Sequence, residues 1–249
     1  KMGDAWKDAF STVCSGDIAS QRDAFLKRFT LQFSKQELEA KEVVKLGYAA
    51  ADMFIEKSKS GNGKSLQYAG VEFGDVYTEF CGENMTFVQR KKTFAPFDLD
   101  NNGLIDLAEF LLYFYRDKIV AAYKDRHGVS EVDNEAEALM KEMNETAMYI
   151  DPKLDSAVLG LANLAASYEA SVEAAKKEAQ EGGGVKKVQL GGNLKKLETK
   201  YEEDKKGFIS EDAIAKKKGQ VAKKAEAIVG EMKAILDKED EDARGPQKK

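Results

Sequence analysis

The segment from Phe97 to Glu109 constrains this chain more than any other. It reads Phe-Asp-Leu-Asp-Asn-Asn-Gly-Leu-Ile-Asp-Leu-Ala-Glu, with side-chain oxygens at Asp98, Asp100, Asn102, Asp106 and Glu109, a glycine at Gly103 and a β-branched residue at Ile105. Counted from Asp98, these fill positions one, three, five, nine, twelve, six and eight of an EF-hand loop. Such a loop needs a helix on either side, because its ligands converge only when the chain turns at the glycine and closes on the first turn of an exit helix. Asp98, Asp100 and Asn102 each offer one side-chain oxygen, Leu104 its carbonyl, Asp106 acts through a water, and Glu109 closes the shell with both oxygens. We therefore expect this loop to hold Ca2+, at the 10⁻⁷ to 10⁻⁵ M dissociation constant of about sensor range. An acidic surface turn would have to match every one of these positions by chance.

EF-hand loops pair through a short strand at position eight, so a second loop is expected upstream. Ser58-Lys59-Ser60-Gly61-Asn62-Gly63 stands there with serines in place of aspartates. In the alignment that starts at Ser58, Ser65 replaces the strand isoleucine and Ala69 the closing glutamate, which predicts a half-site without metal. The segment from Glu202 to Ala213 has a similar outline, but Ala213 at its end predicts only a link between helices.

The remaining residues place this pair in a helical chain. A third of the 249 residues are charged and only three are proline, and phenylalanines such as Phe25, Phe29 and Phe33 cluster in the first half. This composition predicts an all-α protein, with a helical lobe over 1–126 that carries one intact and one degenerate EF-hand. From Glu135 onward Ala, Lys and Glu dominate, which predicts a C-terminal helical, coiled-coil-like bundle over 135–249. Leu154, Val158, Leu161, Ala165, Tyr168, Val172, Ala175 and Ala179 alternate by four and three, the rhythm of a helix packed on another helix. The run Gly182-Gly183-Gly184 should end that helix in a tight reversal, and the stripe resumes at Leu190, Leu194, Leu197 and Tyr201 and again at Ile214, Val221, Ile228 and Ile235. Ser210, followed by Glu211 and Asp212, is the expected N-cap of the last helix.

Several functions are not expected. The glycines at 182–184 and 191–192 lack the strand and Gly-Lys-Ser/Thr sequel of a phosphate loop, and the one histidine, His127, has no nucleophile motif around it, so no enzyme is predicted. Cys14 and Cys81 form neither a zinc pattern nor a disulfide framework and are expected to be reduced core thiols. No run of about 18 apolar residues occurs, so no membrane span is expected, and nucleic acid is not an expected partner. The residues Lys1 to Trp6 lack the apolar core of a signal peptide, which predicts a cytoplasmic protein. The chain starts at Lys1 rather than at methionine, so native residues are expected before it.

Charge is divided unevenly. The 39 basic and 44 acidic side chains leave a net charge of -5, yet lysines crowd the later helices. Lys176, Lys177, Lys186, Lys187, Lys195, Lys196, Lys216, Lys217, Lys218, Lys223 and Lys224 suit an acidic partner surface, although a solvated lysine face has the same composition.

The EF-hand with its exit helix, Asp98 to Asp117, including Glu-Phe-Leu-Leu-Tyr-Phe-Tyr-Arg-Asp, resembles that of the calcium-regulated actin-bundling proteins of protists. So do Gly184-Val185-Lys186, the later Gly-Gly-Asn-Leu and the ending Gly245-Pro246-Gln247-Lys248-Lys249, in the same order. The family carries a glycine-rich, tryptophan-containing tail where this chain runs on through Glu226 to Asp242. The resemblance implies a cytoskeletal protein that cross-links F-actin and is inhibited by calcium, with filament contact over about Asn163 to Ala225. Bundling needs two filament sites, from one chain or through self-association. The alternative is an EF-hand calcium sensor that grips a partner helix, with the C-terminal helices as a spacer.

Overall fold

The computed structural model describes residues 5–34, 39–149, 152–181 and 183–244, and these are predominantly helical, as composition predicts. Among the described residues the helices run α1 (Ala5–Cys14), α2 (Ile18–Ser34), α3 (Ala40–Lys57), α4 (Val71–Cys81), α5 (Phe87–Phe94), α6 (Leu107–Phe114), α7 (Arg116–His127), α8 (Glu135–Tyr149), α9 (Pro152–Glu181), α10 (Gly183–Lys205) and α11 (Glu211–Arg244). Two three-residue strands, β1 (Ser65–Gln67) and β2 (Leu104–Asp106), pair antiparallel. No described helix is long and apolar enough to cross a membrane.

The chain divides into two compact units, residues 1–147 with 222–249, and residues 148–221. This differs from the sequence boundary near 126–134, for a reason visible in the side chains. Leu139, Met140 and Met143 of α8 are buried in the same core as α2 to α6, and Val229, Met232 and Leu236 of α11 pack against it. A change in aromatic content marks where the surface becomes helical and polar, but it does not mark where packing stops.

The first unit is built around aromatic rings. Phe110 of α6 lies 5.6 Å from Phe54 of α3 and 5.8 Å from both Phe73 and Phe80 of α4. Phe94 of α5 sits 4.5 Å from Tyr113 and edge-on to Phe73 at 4.8 Å. Offset and edge-to-face pairs of this kind add to the area they bury, so α3 to α6 are held in one orientation around the two strands. Thr86 starts α5 by accepting from Gln89 N, while the Gln89 side chain accepts from Thr86 N. Arg90 then ties α5 to the segment after β1, donating to the carbonyls of Tyr68, Ala69 and Gly70.

A buried ion pair joins α7 to α8. Arg126 donates to Glu142 at 3.1 Å, both side chains being fully buried, and to the partly exposed Glu145 at 2.6 Å. Desolvation dominates the Glu142 environment and pushes its carboxyl up to about 7, although Arg126 pulls the other way. A carboxyl whose pKa is higher folded than unfolded contributes stability below its unfolded value and loses that contribution as pH rises through the folded one. Urea unfolding should therefore show stability falling from pH 5 to 8, with Glu142 supplying up to about 3 kcal/mol of the drop. Glu142→Gln should flatten this fall by roughly one proton. An unchanged slope in the variant would show that Glu142 titrates normally.

The second unit holds an antiparallel helical hairpin. Tyr168 of α9 stacks on Tyr201 of α10 with ring centroids 4.7 Å apart. Nearer the open end, Gly160 has no Cβ because Phe208 lies directly against it. Gly182 is outside the described residues. Gly183 and Gly184, expected in the reversal, belong to α10 instead. Ser210 caps α11 as expected, its hydroxyl accepting from Ala213 N at 3.3 Å.

Candidate functional site

The loop between α5 and α6 brings its oxygens together by ordinary backbone chemistry. Asn101 and Gly103 take positive φ of 55° and 79°, the first tolerated by an asparagine and the second free for glycine. The turn delivers backbone donors to the acidic side chains. Asp98 Oδ1 accepts from Asn102 N at 3.0 Å and its Oδ2 from Gly103 N at 2.8 Å, while Asn102 Oδ1 accepts from Leu104 N at 2.8 Å. Burial, and then the Asp98 carboxylate, raise the Tyr68 hydroxyl above its ordinary range. At the far end Glu109 Oε2 accepts from Asp106 N at 2.8 Å, which holds the closing carboxylate over the loop. Five of the expected ligand residues, Asp98, Asp100, Asn102, Asp106 and Glu109, line one small cavity together with Leu104.

The electrostatics of this cavity suit a cation. Asp98 and Glu109 are 6 % and 4 % exposed, so two carboxylates stand nearly out of water with others beside them. Burial, then the neighbouring Asp100, raise Asp106 to about 6. Burial likewise holds Glu109 well above the usual carboxylate range, with Asp106, Asp98 and Asp100 adding to the rise. Crowded carboxylates of this kind either share protons or take a cation, and a hard divalent ion with oxygen ligands is the one their chemistry fits.

The upstream loop differs from the sequence alignment. Leu66, not Ser65, stands opposite Ile105 in the strand pair, and Ser65 lies opposite Asp106. Both strand centres are buried, and burial decides the register, since a one-residue slip would turn Leu66 out to water. The exit helix also starts later: Val71 opens α4 five residues after Leu66, whereas Leu107 opens α6 two residues after Ile105. Ala69 is therefore outside the helix rather than at a closing position, and its carbonyl accepts from Arg90. Asn62 spends its oxygen on Lys64 N and Ser65 N, both at 2.9 Å.

Two side chains far away in sequence complete the surroundings of the intact loop. Gln21 of α2 accepts from Ala108 N at 3.1 Å and donates to the carbonyls of Cys14 and Gly16 at 3.0 and 3.1 Å. That anchors the end of α1 over the loop. The Cys14 sulfur lies within 4.8 Å of a carboxylate oxygen of each of Asp106 and Glu109, and Ser11, one turn earlier, lines the same cavity. Cys14 is a free thiol packed against the core, as expected, and it also faces two of the loop's carboxylates. Nothing local could have signalled this, because the spacing from Cys14 to Asp106 has no motif.

The lysines predicted to meet a partner are spread along three helices. Lys176 and Lys177 on α9, Lys195 and Lys196 on α10, and Lys216 and Lys218 on α11 are exposed, with Lys217 half-buried. Lys223 and Lys224 are exposed in the part of α11 that belongs to the first unit. Lys186 and Lys187 lie in α10 with side chains outside the described ones, and the Gly245 to Lys249 ending is outside the described residues. Lys195, Lys196 and Lys200 share an open stretch of α10 surface with Gly192, Thr199 and Glu203.

In comparisons with known proteins, no protein-family model, no curated protein and no solved structure matches the chain.

Proposed function

We propose that the chain is a calcium-regulated F-actin bundling protein whose first unit is a paired EF-hand lobe and whose bundling is inhibited by calcium. The observation that carries the calcium part is the cavity at Asp98, Asp100, Asn102, Leu104, Asp106 and Glu109, closed by a Glu109 that is 4 % exposed and joined through Ile105 to a second loop. In this reading Asp98, Asp100 and Asn102 give one oxygen each, Leu104 its carbonyl and Glu109 both carboxylate oxygens, with Asp106 acting through water. The upstream loop presents serine hydroxyls in place of carboxylates and an Asn62 oxygen already engaged with backbone, and in this reading it pairs the strands without holding metal.

The filament part rests on the family resemblance together with the exposed lysines of α9 to α11, which suit an acidic filament surface in the cytoplasm. Calcium inhibits only if it binds the non-bundling state more tightly, so bound filament must lower calcium affinity by the same factor. No catalytic chemistry is required of any residue. The test is a charge reversal. Lys216→Glu, Lys217→Glu and Lys218→Glu together should weaken filament binding in high-speed cosedimentation by at least several-fold and reduce its dependence on salt. Unchanged binding and salt dependence would make the triplet a solvated face.

The sensor reading has its own supporting observation. Val71 at the start of α4 and Phe87 and Val88 at the start of α5 are 74 %, 56 % and 71 % exposed, as surfaces that grip a partner helix often are. A chain that binds calcium and leaves F-actin in the supernatant under every condition would favour it.

A further inference from the structure

The intact loop contains a ligand that a hard cation does not use. The Cys14 sulfur and one carboxylate oxygen each of Asp106 and Glu109 lie within 4.8 Å of one another. They face a cavity of about 50 Å³, room for one ion and a water, that Ser11 also lines. The sulfur comes from α1, outside the loop, and it is held there: Gln21 grips the Cys14 carbonyl with its amide nitrogen and the backbone of Ala108 with its oxygen. Glu109, the carboxylate nearest full burial, is fixed from behind by Asp106 N. Cys14 also packs against the apolar core, so its sulfur lies between that core and the two carboxylates. A cation bridging the sulfur and the two carboxylate oxygens would offset the crowding of these three electron-rich atoms.

We infer that Cys14, Asp106 and Glu109 form a site for a thiophilic divalent cation, zinc or cadmium, that excludes calcium from the loop. The competition with calcium rests on the calcium reading, whereas the sulfur site rests on the geometry of Cys14, Asp106 and Glu109. Calcium coordinates oxygen and gains nothing from sulfur, whereas zinc combines thiolate with carboxylate and fills the remaining position with water. Binding converts the thiol to a thiolate, so one proton is released to solvent for each sulfur–metal bond formed, with no change of oxidation state. Asp106 and Glu109 belong to both ligand sets. The two cations therefore compete, and each lowers the apparent affinity for the other.

The experiment titrates the full-length, reduced protein with cadmium while the ultraviolet sulfur-to-cadmium charge-transfer band is recorded, and measures zinc and calcium binding in parallel by calorimetry. One equivalent of cadmium should produce the band, and excess calcium should suppress it. Cys14→Ala should abolish the band and weaken zinc by more than the roughly 10- to 100-fold that loss of an outer partner costs, with calcium affinity nearly unchanged. Cys81→Ala should keep the band, which assigns the sulfur. Retained calcium binding shows that each variant is folded. The inference is overturned if the band is absent from the wild type, survives Cys14→Ala or disappears in Cys81→Ala, or if zinc affinity is the same without Cys14. A wild type that gives the band but binds no calcium would sink the calcium reading and the competition with it, and leave the sulfur site standing.

Discussion

Glu109→Gln should abolish calcium binding in the micromolar range while leaving the metal-free protein at least as stable as before. The two halves of this result have one cause. Glu109 is 4 % exposed, and burial together with Asp106, Asp98 and Asp100 disfavours its charged form. A cation makes that charge favourable, so the residue that costs most in the empty loop contributes most in the filled one. Glutamine keeps an oxygen to accept from Asp106 N, as Glu109 Oε2 does at 2.8 Å, so the loop can close as before. It loses a negative charge and one of the two closing oxygens. Affinity should drop on the order of 100-fold or more, a step within the span that ligand charge and rigidity produce among such loops. Calorimetry would report the loss, and thermal unfolding would show that calcium no longer raises the melting temperature of the variant. Near-normal binding by the variant would mean that the site lies elsewhere.

Phe110→Ala should be the most damaging single truncation in the first unit. The ring is fully buried and meets Phe54, Phe73, Phe80 and Phe114, which come from α3, α4 and α6. These helices do not close over the space of a missing ring without giving up the ring pairs they make with one another. The cost should reach about 3–5 kcal/mol, and Phe110→Leu, which retains most of the volume, should cost clearly less. Trp6, the single tryptophan, packs against this same core, so its fluorescence during urea unfolding follows the first unit alone. A loss below about 1 kcal/mol would show that α6 is held mainly by its loop and strand.

Residues whose environment is local were the most legible from sequence. The loop from Asp98 to Glu109 is a compact motif, and the positions that turn the chain, Asn101 and Gly103, are where a turn has to be. The all-α class, the hairpin seam through Tyr168 and Tyr201 and the Ser210 cap follow from helical periodicity and short-range hydrogen bonding. What sequence missed depends on distant partners. The register of the upstream loop was misplaced by one residue because Ser65 and Leu66 are adjacent, and only the buried strand opposite Ile105 chooses between them. The assignment of α8 and the end of α11 to the first unit depends on which apolar stripe meets which core, and a stripe does not name its partner. Cys14 and Gln21 were missed as neighbours of the loop because they enter it through the tertiary fold, with no spacing rule to announce them.

The proposed function is tested most directly by low-speed cosedimentation of the pure full-length protein with F-actin, in a calcium chelator and in free calcium above the loop's dissociation constant. Single filaments stay in the supernatant at low speed and bundles do not. The account predicts bundles in the pellet in chelator, their loss in calcium, and bundling by Glu109→Gln in both conditions, because that variant cannot register the ion. Filaments left in the supernatant in chelator, or pelleted equally by the wild-type protein with and without calcium, would contradict it.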